Sequence, residues 1–451
     1  MEENLSLVKP TDFVGVLIYL IIIYWVLYKW KNSHKETKLA KYIIPVFTLR
    51  IISSFFQYYI TQFIYKGGDV FFYFRNIKIY SSIYRNDPTL IPEILFNHFN
   101  DLRPGIKSLF DVSFETFSGP NVFIGKTGSI LALIFNDNFL CISITFSLLS
   151  TIGIWKLYLV FVELYPQLYK KLAYGILFLP SVFFWGSGLV KDPLCMYGLG
   201  ILFFYFYKIV FKKRITLINL ALLSLGVFIL LSIKPYILFA FSPSLLVWFF
   251  FNFNAKIKSS LLRRINTSII YIVLPIIIFL ILNNISNNNS SDVSRFAVSN
   301  LMDEIKSQQE AYIDQSNGET NSFVSIGDFD QSFSGLIKSF PLAVNLTLFR
   351  PYVWEIKNGL MILSAGESLF FLVFLLMVFF KIGFFKTFQT IFKTPILFAS
   401  FIFVIVFAGF VGISTFNFGT IARYKIPCLP FFIATLIIIY DQRKNRNVMQ
   451  N

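Results

Sequence analysis

Histidine and cysteine are scarce in this sequence, at two and three among 451 residues. His34 and His98 cannot by themselves build an imidazole metal centre. Cys141, Cys195 and Cys428 lie in or beside apolar runs without paired spacing, which excludes both a disulfide framework and a zinc site. Charge is thin as well: 14% of the residues are charged, where a soluble domain carries about a quarter. The acidic sign is the scarcer one, 24 residues against 40 basic, for a net charge of +16. The basic residues sit in short clusters between apolar runs, the distribution of membrane-protein loops, so nucleic acid is excluded as a partner.

What the chain has in abundance is apolar surface. Hydrophobic residues make up 56% of it, with 57 Phe and 23 Tyr, and the mean hydropathy is +0.66. Hydrocarbon offers no water to the backbone, so such a chain must cross as helices or as a closed barrel. Barrel strands alternate apolar and polar residues, whereas these runs are unbroken. The expectation is an all-α, polytopic transmembrane helical bundle, a single domain over 1–451. At about 20 residues per crossing, about eleven spans are predicted, over 12–30, 42–64, 139–163, 172–190, 193–211, 215–233, 236–253, 267–283, 358–380, 395–414 and 427–440. The first run has no basic region before it and no small-residue cleavage site after it, and reads as a retained helix.

Every second connection is basic: Lys29 to Lys41, Lys170–Lys171, Lys208 to Arg214, Lys256 to Arg264, Lys381 to Lys393 and Arg443 to Arg446. The positive-inside rule makes these cytoplasmic and puts the N-terminus outside and the C-terminus inside. Two outer connections are long, 65–138 and 284–357. They contain the amphipathic stretches "TLIPEILFNHFNDL" and "DVSRFAVSNLMDEIKSQQEAY", predicted as helices on the membrane surface. No internal repeat of the kind that builds inverted transporter halves is visible.

Ionisable groups at membrane level cost roughly 2.5–3.5 kcal/mol on insertion scales, so each needs a reason. At the outer helix ends stand Asp69 in "YKGGDVFFYF", Lys191 and Asp192 in "GLVKDPL", and Lys234 in "SIKPY". Arg350 and Glu355 follow in "FRPYVWE", then Arg423, Tyr424 and Lys425 in "ARYKIPCLP", with Glu367 inside the ninth span. Each has a structural reading. Asp192 before Pro193 fits a helix N-cap, Lys191 can reach the interface, Arg350 and Glu355 can pair, and Glu367 can pair with a cation. Together, five cations on a face that should be poor in them point to an anionic ligand, a phosphate or pyrophosphate head group. Asp69, behind two glycines, is placed to take a proton from a hydroxyl.

These segments resemble the C-type (GT-C) superfamily of membrane glycosyltransferases, which move a sugar from a polyprenyl-phosphate carrier on the outer side of the membrane. The resemblance is carried by the acid of "GGDVFFYF", by the size of its loop, and by "ARYKIPCLPFF", which is similar to an Arg-Tyr-x-x-Pro-x-x-Pro pattern near the end of many members. Members usually carry the acidic loop after the first helix, often with a second acid near the first; here the loop follows the second helix, and "GGDVFFYF" has no second acid. The resemblance implies that Asp69 is the catalytic base. Lys191, Arg350, Arg423 and Lys425 would hold the lipid phosphate, and Asp192, Lys234, Glu355 and Tyr424 would complete the substrate-binding set. It also implies a polyprenyl-phosphate-linked sugar as donor, a glycan or lipid acceptor, and a divalent cation as a cofactor to be tested. Three other readings stay open: a polymerase or ligase of lipid-linked oligosaccharide, a transporter or flippase for an anionic lipid or solute, and a non-enzymatic envelope scaffold.

Overall fold

A computed structural model describes residues 6–34, 37–97, 101–109, 120–254, 333–415 and 417–448, with the single positions 257, 259, 261 and 324. All elements among these residues are helices. They are α1 (Asp12–Ser33), α2 (Ala40–Tyr65), α3 (Asp69–Asn86), α4 (Pro120–Phe135), α5 (Phe139–Leu164), α6 (Lys191–Val210) and α7 (Leu217–Ile233). Then come α8 (Pro235–Asn254), α9 (Phe333–Phe349), α10 (Gly359–Ile382), α11 (Phe384–Lys393), α12 (Pro395–Ser414), α13 (Phe418–Tyr424) and α14 (Leu429–Val448).

Seven of the described helices are long and apolar enough to cross a membrane: α1, α2, α5, α6, α8, α10 and α12; α13 and α14 form an eighth candidate bent by 67°. Lipid is the environment their surfaces require. Along α1, Phe13, Leu17, Ile18, Ile21, Ile22 and Trp25 are all exposed, a run of large apolar side chains that water does not tolerate. The protein is an integral membrane protein.

Three predicted spans are not among these candidates. The 172–190 stretch is broken: Tyr169–Leu172 leads into a π-helical turn at Ala173–Leu177, and a separate short helix, Pro180–Trp185, follows. Proline cannot donate a backbone hydrogen bond, so Pro180 can open a helix but not continue one. The 215–233 span is α7, of 17 residues, or about 25 Å of helix. The 267–283 span lies outside the described residues, as does most of the 284–357 connection with its amphipathic stretch.

The chain divides into two compact units, one of residues 1–160 and 183–235, the other of 161–182 and 236–451. In the first unit small residues bring backbones together, as membrane helices require. A Cβ on Gly200 would run into the carbonyl of Gly153, one on Gly153 into that of Met196, and one on Gly226 would come within 2.9 Å of the Gly198 carbonyl. These close contacts join α5 to α6 and α6 to α7. The described part of the 65–138 connection is largely helical and has its own core, Tyr80, Ile83, Tyr84, Ile94, Leu102 and Ile106. Ile94 and Leu102 belong to the amphipathic stretch predicted to lie on the membrane. They pack on Tyr80, Ile83 and Tyr84 of α3, while Phe96 of the same stretch is 85% exposed.

In the second unit Gly412 of α12 sits against the Ala343 carbonyl of α9, and the Thr347 hydroxyl donates to the Ala408 carbonyl at 2.7 Å. Phe241, Phe403 and Phe431 meet with ring centroids 4.7 to 5.3 Å apart. The phenylalanine content thus serves packing inside the unit as well as lipid contact.

Candidate functional site

The candidate residues fall into two groups, one in each unit. In the first, the π-helical end of α2 stops at Lys66, and Gly68 turns the chain with φ of 98°, a conformation that only glycine adopts without strain. Asp69 follows in the first turn of α3, exposed, where the positive end of the helix favours a carboxylate. One turn on, the same face of α3 carries Tyr73, which is buried. The Lys191 ammonium lies 5.8 Å from the centre of its ring. The start of α3 and the start of α6 are therefore neighbours, and Asp69 and Lys191 belong to the same end of this unit.

Asp192, next along α6, is buried and accepts a 2.6 Å hydrogen bond from the Lys234 ammonium at the end of α7. It stands inside the first turn and is not the N-cap expected from Pro193, since the flanking residue is Val190. Lys234 is committed to this carboxylate.

The non-helical backbone at 186–190, between the short helix Pro180–Trp185 and α6, delivers both lysine and aspartate to their places. Three side chains hold it. The Gln57 amide donates to the Phe184 carbonyl, an Arg50 guanidinium nitrogen donates to the Gly186 carbonyl at 2.6 Å, and the Gly188 N–H donates to the Ser147 hydroxyl at 3.0 Å. Gly188 has φ of 75° and lies against Gln57. Non-helical backbone at this depth is tolerated only where protein buries it and satisfies its polar groups. Sequence reasoning missed Arg50, Gln57 and Ser147. The signal for Arg50 was a lone arginine inside the apolar run "FTLRIISSFF".

The second group centres on Glu367 and Ser368 of α10. Glu367 is buried and accepts hydrogen bonds from the Ser181 N–H, at 3.0 Å, and from its hydroxyl. Ser181 lies just after the break at Pro180. Lys425, 0% exposed, occupies the bend between α13 and α14 and donates to the Ser368 hydroxyl at 3.0 Å. Ser368 in turn donates to the Arg350 carbonyl at 3.0 Å. Two helix breaks, far apart in sequence, therefore converge on adjacent residues of α10. Lys425, expected to hold a lipid phosphate, is spent inside the unit on Ser368, with the Glu367 charge acting on it.

Arg350 forms a side-on pair with Glu355: Nε donates to both carboxylate oxygens, at 3.0 and 3.1 Å, and Nη2 donates as well. The Tyr352 N–H donates to the same carboxylate at 2.7 Å, and the guanidinium faces the Phe418 ring. Partial burial alone would raise the Glu355 carboxyl, but the Arg350 and Tyr352 hydrogen bonds and the charges of Arg350 and Lys357 hold it below its ordinary value. The stabilisation this gives is complete above about pH 4.3, where an unfolded glutamate ionises, and is lost as pH falls through the folded value. Thermal unfolding of the wild type and of Glu355→Gln should therefore differ at neutral pH and converge on acidification. Trp354, 80% exposed, stacks on Tyr352 at 4.8 Å. Arg423, in the last turn of α13, and Tyr424, at its end, are half-buried.

Asp69, Lys191, Asp192 and Lys234 thus belong to the first unit, and Arg350, Glu355, Arg423, Tyr424 and Lys425 to the second. Among the described residues no group of three or more His, Cys, Asp and Glu side chains is placed to hold a metal ion. No protein-family model matches the chain, and no curated protein and no solved structure matches it.

Proposed function

We propose that the protein is a glycosyltransferase of the cytoplasmic membrane. It takes a sugar from a polyprenyl-phosphate-linked donor and transfers it to an acceptor hydroxyl at the outer face, in the assembly of cell-surface glycans. Its N-terminus is outside and its C-terminus cytoplasmic, as the alternation of basic connections requires. The observation that carries the reading is the exposed Asp69 carboxylate at the head of α3, at the same end of its unit as the Lys191 ammonium on Tyr73. In the reaction the acceptor oxygen attacks the anomeric carbon and inverts it. The bond from that carbon to the carrier phosphate breaks, the phosphate leaves with the electron pair, and the hydroxyl proton passes to Asp69. Lys191 stabilises the departing charge.

A second reading, transport of an anionic lipid or solute, is favoured by one observation: the breaks at Pro180 and at Lys425 meet on Glu367 and Ser368, and discontinuous helices with buried ionisable residues are a feature of transporter sites. The two readings separate in one experiment. The wild type, Asp69→Asn and a deletion strain are compared in the native host at matched levels, with polyprenyl-linked sugars and surface glycans profiled by mass spectrometry. The transferase reading expects Asp69→Asn to lose the glycan as fully as the deletion does, with the donor lipid accumulating. Glycans unchanged in the deletion strain would overturn it and leave transport as the better reading.

A further inference from the structure

Arg50 is the least expected side chain in the molecule. It lies in the middle of α2, a helix built to cross a membrane, and is 0% exposed. One of its terminal nitrogens, Nη1, is fixed by the Ser150 hydroxyl at 2.8 Å and the Gly186 carbonyl at 2.6 Å. Its other two nitrogens, Nε and Nη2, have no hydrogen-bond partner among the described residues, and neither does the buried hydroxyl of Ser54, one turn along the same face of α2. No ion-pair partner for Arg50 occurs among the described residues.

The geometry of the guanidinium gives this pattern a meaning. The N–H of Nε and the adjacent N–H of Nη2 point the same way, and they are the parallel pair with which arginine grips the two oxygens of a carboxylate or phosphate. Nη1 does the anchoring and the gripping edge is kept out of it. An uncompensated charge in this setting is strongly unfavourable, and buried polar groups are normally satisfied. The surroundings are built for polar company: Ser53, Ser54 and Gln57 of α2 and Ser143, Ser147 and Ser150 of α5 are all buried. The Ser143 hydroxyl, like that of Ser54, has no partner among the described residues.

We propose that the Nε and Nη2 edge of Arg50, with the Ser54 hydroxyl, is a binding site for an oxyanion, the phosphate of a lipid head group or of a free solute. Two N–H groups hold two anionic oxygens, and Ser54 donates to one of them. The site does not rest on the transferase reading and belongs wholly to the first unit. Its occupant would also lock the non-helical backbone at 186–190, because the same guanidinium holds Gly186.

The test uses the full chain purified in a neutral detergent and stripped of lipid. It is titrated separately with inorganic phosphate and with dihexanoyl phosphatidic acid while the thermal unfolding midpoint is followed. At least one of the two should raise the midpoint of the wild type saturably. Arg50→Lys keeps the charge and loses the fork, so it should weaken the apparent affinity by about tenfold or more. Ser54→Ala should weaken it by several-fold, and Lys386→Gln, on the exposed surface, should leave it unchanged. A response to inorganic phosphate identifies a free solute as sufficient, and a response to phosphatidic acid alone identifies a lipid. No saturable shift with either anion overturns the proposal. So does an equal shift in wild type, Arg50→Lys and Ser54→Ala. If Arg50→Lys does not fold, Ser54→Ala decides, and an undiminished affinity in that variant overturns the site.

Discussion

Replacing Asp192 with Asn should destabilise the protein by about 3–5 kcal/mol, seen as a fall in folded yield and in the thermal midpoint of the detergent-purified chain. The Lys234 ammonium and the Asp192 carboxylate are 2.6 Å apart, with side chains 7% and 3% exposed. Taking the carboxylate away leaves a buried ammonium without its counter-charge. Lys234 caps the end of α7, where the negative end of the helix offers some compensation, though less than a carboxylate does. The reverse change, Lys234→Met, should cost less. Asp192 sits in the first turn of α6, where backbone N–H groups have no partner within the helix and can serve a carboxylate. The double variant Asp192→Asn with Lys234→Met removes both charges and should recover most of what Asp192→Asn loses. That non-additivity is the signature of a direct pair. If Asp192→Asn unfolds at the wild-type temperature, the pair does not hold the α6–α7 end together, and Lys234 becomes available again as a phosphate ligand.

The helices of this fold are easily read because lipid demands one property of a span, a sustained apolar run, and the sequence supplies it. The predicted 395–414 coincides with Pro395–Ser414, and 139–163 falls one residue short of Phe139–Leu164. The same averaging hides what matters for function. The 172–190 run is apolar enough to count as one span, and its composition outweighs Pro180, Gly186 and Gly188, which are the residues that break it. Arg50 vanishes in the same way, one cation in a window of isoleucine and phenylalanine. Partnerships are less legible still. Asp192 and Lys234 are adjacent only because α6 and α7 run back along each other on glycines. Ser368 shows in the sequence only as an ordinary serine, and its value comes from Lys425 and Arg350 arriving at its hydroxyl. The candidate site was legible as a list of charges at helix ends. It was not legible as pairs, because a list of acids and cations at helix ends does not say which of them meet.

That distinction gives the second large effect. Lys425→Met should also cost about 1–3 kcal/mol, by a route that reaches beyond the lost charge. The ammonium donates to Ser368, and Ser368 donates to the Arg350 carbonyl, so its removal leaves the Ser368 hydroxyl without its donor and Glu367 without the nearby positive charge. Glu367 keeps the Ser181 N–H and hydroxyl, which softens the loss at that end. Glu367→Gln should therefore be the milder change, because the amide oxygen still accepts from Ser181. Combining the two removes both buried charges and should be more stable than Lys425→Met alone, a test made by thermal unfolding of the four proteins in one detergent. Lys425→Arg should fail to rescue, since a fully buried ammonium position has no room for a larger planar head. The informative variant is Glu367→Gln if it folds well. A transporter that uses Glu367 as an ionisable carrier would lose substrate movement in it, whereas a transferase in which Glu367 only joins Ser181 to α10 would keep its glycan product. Activity retained at a lowered midpoint assigns the junction to architecture, and activity lost at an unchanged midpoint assigns it to function.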